Sequence, residues 1–287
     1  MAENRYYIVC AAFFEQRLLD HLGAQRSNRY NNESDNDKVV NIVNLSDKWG
    51  ALSINGPHAR RVLTACTKTP LNNASFRWMS AQQITIANQP CWAFRMSYAG
   101  ELGWEIHTQR DNLISIYDAL WTAGEPYNIN DYGSFAMNTM RMEKMFKGAG
   151  ELTNEVTLPE ADVMRFVKMD KDFVGRAATQ TSIDQGLRWV CSYLIIESND
   201  VDDGHGGEAV LLDGELVGSI TSVTYGHTVA KILAFAYIKP SATVAGTRLE
   251  VVIAGEHREA VVHTQPAYDP DSLLPRSDAL QMYKVAK

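Results

Sequence analysis

After Gly186 the chain breaks into six short runs rich in alternating apolar residues, "RWVCSYLII", "EAVLL", "LVGSITSV", "ILAFAYI", "RLEVVI" and "REAVVHT", each followed by a turn. The intervals between them are too short to hold crossover helices, so the strands must pair antiparallel. Asp213-Gly214 between two such runs predicts a type I′ hairpin, because both central positions of that turn need positive φ. The expectation for this half is a closed antiparallel β-barrel or a jelly roll.

The first 186 residues read differently. "RYYIVC" reads as a strand, and "FFEQRLLDHLGAQ" places Phe14, Leu18, Leu19 and Leu22 on one helical face before Gly23 as a stop. Residues 25–38 are almost without apolar side chains and predict an exposed connection. "VVNIVNLS" and "ALSI" read as strands. Gly56-Pro57 then opens a helix in which Ala59, Val62, Leu63 and Cys66 recur at helical spacing. "QQITIA", a turn at Asn88-Gln89-Pro90 and "CWAFRMS" form a predicted antiparallel hairpin. Leu113, Ile116, Tyr117, Leu120 and Trp121 mark an amphipathic helix with Gly124 beyond its end, and a further helix is predicted from Ser134 to Phe146. This order gives an α+β class, an antiparallel sheet with helices on one face. Two domains follow, 1–186 and 187–287, the first sheet being open at an edge that begins at Tyr6.

Composition narrows the function. Acidic residues number 34 against 27 basic ones, giving a net charge of −7, which argues against a nucleic-acid partner. No uncharged apolar stretch reaches membrane-spanning length, and no basic segment leads into a long apolar one near the N-terminus. These features predict a chain of the cytoplasm, or of the mitochondrial matrix in a eukaryote. The Asn-x-Ser triplets at Asn32, Asn44 and Asn73 are then chance matches. The 4 cysteines lie far apart in apolar runs and predict reduced core thiols. The 7 histidines form no i, i+4 pair, so no metal is expected. GxGxxG, HExxH, GxSxG and the P-loop pattern are absent, which leaves no nicotinamide or FAD fold in this sequence. The acidic stretch 200–204 lacks the later ligands of a calcium loop.

What remains is "SYAGELGWEIH", residues 97–107, where glycines flank Glu101 on a predicted tight turn. Glycine lets backbone approach a ligand closely, and the carboxylate can enter a pocket; a plain surface turn would look the same. Arg141, within "MNTMRMEKMF", lies one helical turn after Met137, where an arginine is either a ligand or a solvated charge with a buried stem.

Five ordered segments carry a resemblance over nearly the whole chain: "SINGPHARRVL", "RMSYAGELGWEIH", "IYDALWTAGEPYNINDYGSFAMNTMRMEKMF", "LPEADVMRFVKMDKDFVGRAA" and "LVGSITSVTYGHTVAKILAFAYI". Together they resemble the tetrahydrofolate-binding domains of the glycine-cleavage T-protein (aminomethyltransferase) family, and most closely its dimethylglycine dehydrogenase branch. The resemblance implies tetrahydrofolate as cofactor, with Glu101 accepting the pterin's paired amino and ring N–H groups, Arg141 completing the anchor and Tyr98 walling the pocket. It also implies one-carbon transfer from an oxidised N-methyl amino acid of the dimethylglycine or sarcosine type, the chain serving as an aminomethyltransferase-like domain or subunit beside a flavoprotein dehydrogenase.

The match begins partway into the family's first domain, and the family's catalytic aspartate falls before it, so the catalytic residue is left unassigned. Where the family reads Thr-Ser-Gly this chain has Thr221-Ser222-Val223, and Arg258 stands near the place of another folate-contacting arginine. Two other readings stay open: a tetrahydrofolate-dependent demethylase of a sulfonium or aryl ether, and a noncatalytic folate-binding module.

Overall fold

The structure is a computed structural model that describes residues 3–30, 40–197 and 204–278. Its contacts separate residues 1–50 from residues 51–287 as two compact units.

The first unit carries α1 (Glu15–Tyr30). This helix runs through Gly23, the expected stop. A helical glycine costs only about 1 kcal/mol, and Ala24, Gln25 and Arg26 beyond it are good helix formers. The predicted exposed connection therefore starts later, and its residues 31–38 lie outside the described ones. The expected strand at "RYYIVC" is not formed. Tyr6 is 84% exposed and Val9 63%, so this run gains no buried face, and alternation without burial does not make a strand. The described part of "VVNIVNLS" is likewise without regular structure, with Val43 exposed. The sheet edge expected at Tyr6 falls with that strand. Cys10 is exposed and Cys66 half-buried, which leaves Cys91 and Cys191 as the buried thiols among the expected core cysteines.

In the second unit, apart from the first two residues of β1, β1 (Trp49–Asn55), β2 (Ala81–Ile86), β3 (Gln89–Phe94) and β4 (Gly103–Gln109) form a sheet in the order β1-β4-β3-β2. Its edges are β1 and β2. The β2–β3 hairpin turns on Ala87-Asn88, both at positive φ, because Ile86 pairs with Gln89; the expected turn at Asn88-Gln89-Pro90 is displaced by this two-residue loop. Alternate residues enter the core, Ile84 and Ile86 from β2, Cys91 and Ala93 from β3, Trp104 and Ile106 from β4. Against them lie Ala59, Val62 and Leu63 of α2 (Ala59–Cys66) and Ile116 and Leu120 of α3 (Leu113–Gly124). The helical spacing of one set meets the period-2 spacing of the other, the arrangement read from the sequence. Each fully buried large side chain, such as Trp104 or Ile106, contributes roughly 1.5–3 kcal/mol.

After α4 (Ser134–Glu143) and α5 (Arg176–Gln185) come β5 (Val190–Ile196), β6 (Ala209–Leu212), β7 (Glu215–Gly226), β8 (Lys231–Ile238), β9 (Arg248–Ile253) and β10 (Glu256–His263). They close as a barrel in the order β10-β5-β8-β7-β6-β9. Asp213 (φ 51°) and Gly214 (φ 80°) make the expected β6–β7 hairpin. Closure removes the edge strands, and Leu194, Ile220, Ala234, Val251 and Ala260 fill the interior. Helix α4 lies against β7 and β8, with Thr139 and Thr224 hydroxyls 3.1 Å apart.

Candidate functional site

Glu101 sits on the turn between β3 and β4, and the glycine before it is obligatory on two counts. Gly100 has φ of 75°, and a Cβ there would collide with the Lys144 side chain at the end of α4. The turn therefore packs its backbone directly onto the helix end. This places Glu101 among Glu143, Lys144, Tyr268 and Asp269. Tyr268 donates its hydroxyl to Glu101 Oε1 at 3.0 Å. The other oxygen, Oε2, is sealed from solvent and has no hydrogen-bond partner.

Burial raises the Glu101 carboxyl to about 7. The Tyr268 hydrogen bond opposes this, Asp269 adds to it, Lys144 opposes it and Glu143 adds to it. A buried carboxylate with one bare oxygen is costly unless something donates to it.

Arg141 is almost fully buried on α4. Its Nε donates to Asn138 Oδ1 at 3.0 Å, and Nη1 donates to Phe146 O and to Glu151 Oε2, each at 2.9 Å. Nη2 takes part in none of these bonds. The guanidinium lies 5.6 Å from the Phe235 ring centre. Glu151, itself fully buried, accepts further bonds from Gly148 N at 2.7 Å and from the hydroxyls of Thr221 and Ser222. Burial alone would raise its carboxyl, but Arg141, Ser222, Gly148 and Thr221 together hold it below the ordinary carboxylate value.

A bulge explains how both hydroxyls reach one carboxylate. In a regular strand Thr221 and Ser222 would face opposite sides, but β7 shifts register against β8 between Ile220 and Ser222. Val223 then packs, half-buried, against the barrel core.

Arg141 and Tyr98 border a common cleft of about 360 Å³, completed by Met137, Asn138, the Gly148–Gly150 turn and Ser222. Tyr98 stacks on Phe146 with ring centres 6.0 Å apart and donates to Lys147 O at 3.0 Å. Glu101 is not among the residues that line this cleft. Of the three residues singled out in the sequence, two therefore share a cavity and the third sits on the turn packed against Lys144, just past the end of α4. Arg258, on β10, pairs with Glu256 at 3.6 Å and does not line the cleft.

Sequence reasoning passed over Glu151, Asn138, Lys144 and Tyr268. The first had a signal, since "GAGEL" at 148–152 repeats the glycine-glutamate arrangement of "YAGEL" at 98–102. Tyr268 had none, because 167 residues separate it from the Glu101 that it touches.

Comparison with known proteins agrees with this architecture. Residues 1–171 match the GCVT N-terminal domain, and residues 193–269 match the glycine cleavage T-protein C-terminal barrel domain. Dimethylglycine dehydrogenase, mitochondrial, of Homo sapiens is 36% identical over 230 residues, 79% of this chain and 26% of its own length. The chain thus spans about a quarter of that relative. The aminomethyltransferase of Natranaerobius thermophilus is 28% identical over 93% of this chain and 71% of its own. In fold, the crystal structure of the glycine cleavage system aminomethyltransferase T from Bartonella henselae superposes with a TM-score of 0.67, covering 77% of this chain and 60% of that one at 20% identity.

Proposed function

Because the chain belongs to the glycine cleavage T-protein family, we propose that it binds tetrahydrofolate and serves as the one-carbon-accepting part of an enzyme acting on an N-methyl amino acid such as dimethylglycine or sarcosine. The observation that carries this reading is Glu101 Oε2, a buried acceptor without a donor on a turn that only glycine can make. A pterin offers an amino group and a ring N–H side by side, and a carboxylate accepts such a pair with strong, orienting bonds. Arg141, held by Glu151, Asn138 and Phe146, keeps its Nη2 for the pterin carbonyl or an acidic folate group. Tyr98 supplies the flat wall that a heterocycle stacks on.

Bound tetrahydrofolate would supply the nitrogens that accept the one-carbon unit. What this chain contributes is position: a fixed guanidinium and the Tyr98 wall in one cleft, and a fixed carboxylate on the Gly100–Glu101 turn outside that cleft's lining. The dimethylglycine and sarcosine dehydrogenases among the relatives are several times longer than their shared segment, which supports a flavoprotein portion or partner as the oxidant. In this reading residues 1–186 form the folate-binding portion and 187–287 the barrel portion. Among the described residues no helix is long and apolar enough to cross a membrane, and the mitochondrial relatives favour the matrix for a eukaryotic source.

The test is calorimetric titration with tetrahydrofolate under reducing conditions, with Glu101→Ala beside the parent chain. Micromolar binding that disappears in the variant supports the reading. Equal binding by both sinks it, as does no binding by a parent chain shown to be folded. Where a flavoprotein partner is supplied, methylene-folate as product indicates oxidised N-methyl chemistry, and 5-methyl-folate indicates direct demethylation instead.

A further inference from the structure

After β10 the chain leaves the barrel and runs back over the first sheet's surroundings. Tyr268 N donates to Glu143 O at 3.0 Å, and the buried Lys144 ammonium donates to Asp269 O at 2.6 Å and to Asp269 Oδ2 at 3.2 Å. Farther on, Pro275 O accepts from Arg95 at 3.0 Å, Ser277 O from Arg60 at 2.7 Å and Arg276 O from Asn73 at 2.6 Å. The Arg276 guanidinium caps the Trp78 ring at 4.4 Å. A segment with no helix or strand of its own is thus tied at both ends, and between the β3–β4 turn and this segment lies Glu101.

We infer that Tyr268 is the positioning residue for Glu101, a strap-borne hydroxyl that holds one carboxylate oxygen so that the other is left to a ligand. This rests on the folate reading above and deepens it. A glutamate side chain on a loop turn has freedom about several bonds, and most of its orientations would not aim an unpaired oxygen at a ligand's donor. One hydrogen bond to Oε1 selects the rotamer and leaves Oε2 without a partner, the arrangement found here. The strap is itself fixed where it matters: Asp269, next to Tyr268, is clamped by Lys144, whose side chain lies against Gly100 in the same turn that carries Glu101. The charged and titratable groups facing Glu101 are Glu143 at the end of α4, Lys144 just after it, and Tyr268 and Asp269 from the strap. Of these, Tyr268 is the one that touches the carboxylate. A hydroxyl donating to the ionised form favours ionisation, so the same contact partly offsets the burial that works against charge on Glu101.

Tyr268→Phe removes the hydroxyl and leaves the ring, the Tyr268 N to Glu143 O bond and the Lys144–Asp269 pair in place. Amide hydrogen exchange over 266–278 checks that the strap stays docked. Without ligand, the pH at which the melting-temperature difference between the parent chain and E101Q stops growing marks the midpoint of the folded-state Glu101 titration. Repeated in the Y268F background, against Y268F/E101Q, that midpoint should move up by about one pH unit, the worth of a hydrogen bond to a charged group. Tetrahydrofolate affinity at pH 7 should fall about tenfold in Y268F and recover as pH rises. An unmoved midpoint overturns the inference, and so does a moved midpoint with unchanged affinity. A parent chain that is folded and binds no tetrahydrofolate sinks the proposed function instead, and the ligand-free arm separates that failure from this one.

Discussion

Arg141 Nη1 and Glu151 Oε2 lie 2.9 Å apart, with both side chains withdrawn from solvent. The pair joins α4 to the bulge of β7, because Glu151 also takes the hydroxyls of Thr221 and Ser222. Deep pairs of this kind are weak sources of net stability, yet breaking one is expensive, since the survivor is left charged and alone. Glu151→Gln should therefore destabilise the chain by about 3 kcal/mol. Urea unfolding at pH 7 measures it. The reverse swap at the bulge, Ser222→Ala, removes one of several donors and should cost about 1 kcal/mol.

The same network has a defined pH signature. Glu151 is held below its unfolded value, so its stabilising contribution is complete above the unfolded carboxylate pKa and is lost as pH falls through the lower folded one. Glu160, drawn down to about 2 by Arg188 and Thr157, behaves alike. Melting temperature should drop between about pH 4.5 and pH 2, and the Glu160 share of that drop should shrink in Arg188→Met, which leaves only the Thr157 donors.

Glu101 carries the opposite sign. Its folded value of about 7 lies above the unfolded one, so the folded state holds the proton more tightly and this contribution is present at low pH and lost as pH rises through about 7. Glu101→Gln mimics the protonated acid and still accepts from Tyr268. It should raise the melting temperature at pH 8 by several degrees and leave it unchanged near pH 4. A variant that gains stability and loses tetrahydrofolate would show a site that is held strained for its ligand.

Ligand donors favour the carboxylate, so binding should expel a proton from Glu101 over the range in which it is partly protonated. Affinity for tetrahydrofolate should fall as pH is lowered from 8 to 6, approaching tenfold per unit at the acid end. Titrations in two buffers of different ionisation enthalpy would report the released proton near pH 7, and the release should disappear in any Glu101 variant that still binds.

Gly100 tests the turn by itself. Gly100→Ala must adopt φ near 75° and push Lys144 aside, a cost of about 2 kcal/mol or more. Adding Lys144→Ala relieves the collision but not the dihedral strain, so it should recover the steric share alone, less whatever is lost with the Lys144–Asp269 pair. Equal melting temperatures for Gly100→Ala and the parent chain would mean that the turn relaxes freely and that Glu101 is not rigidly placed.

Periodicity and turn chemistry determined most of the architecture. Alternation in "QQITIA" and "GWEIH", helical spacing through Ala59, Val62 and Leu63, and the Asp213-Gly214 turn are local signals, and each met its complement in the fold. They fail where burial decides, as at Tyr6–Cys10, whose strand-like pattern finds no buried face. The site divides in the same way. Glu101 on a glycine-flanked turn and Arg141 on a helix stood out from their neighbours in the chain, whereas the pocket roles of Glu101, Arg141 and Tyr98 came only as implications of the family resemblance. Their partnership was not legible: that Glu151 binds Arg141, that a bulge delivers Thr221 and Ser222 together, and that Tyr268 returns across 167 residues to Glu101 are contacts between segments distant in sequence. Local preferences act within a few residues along the chain, whereas a buried charge finds its partner only when the closed barrel and the packed sheet bring remote donors to within 3 Å.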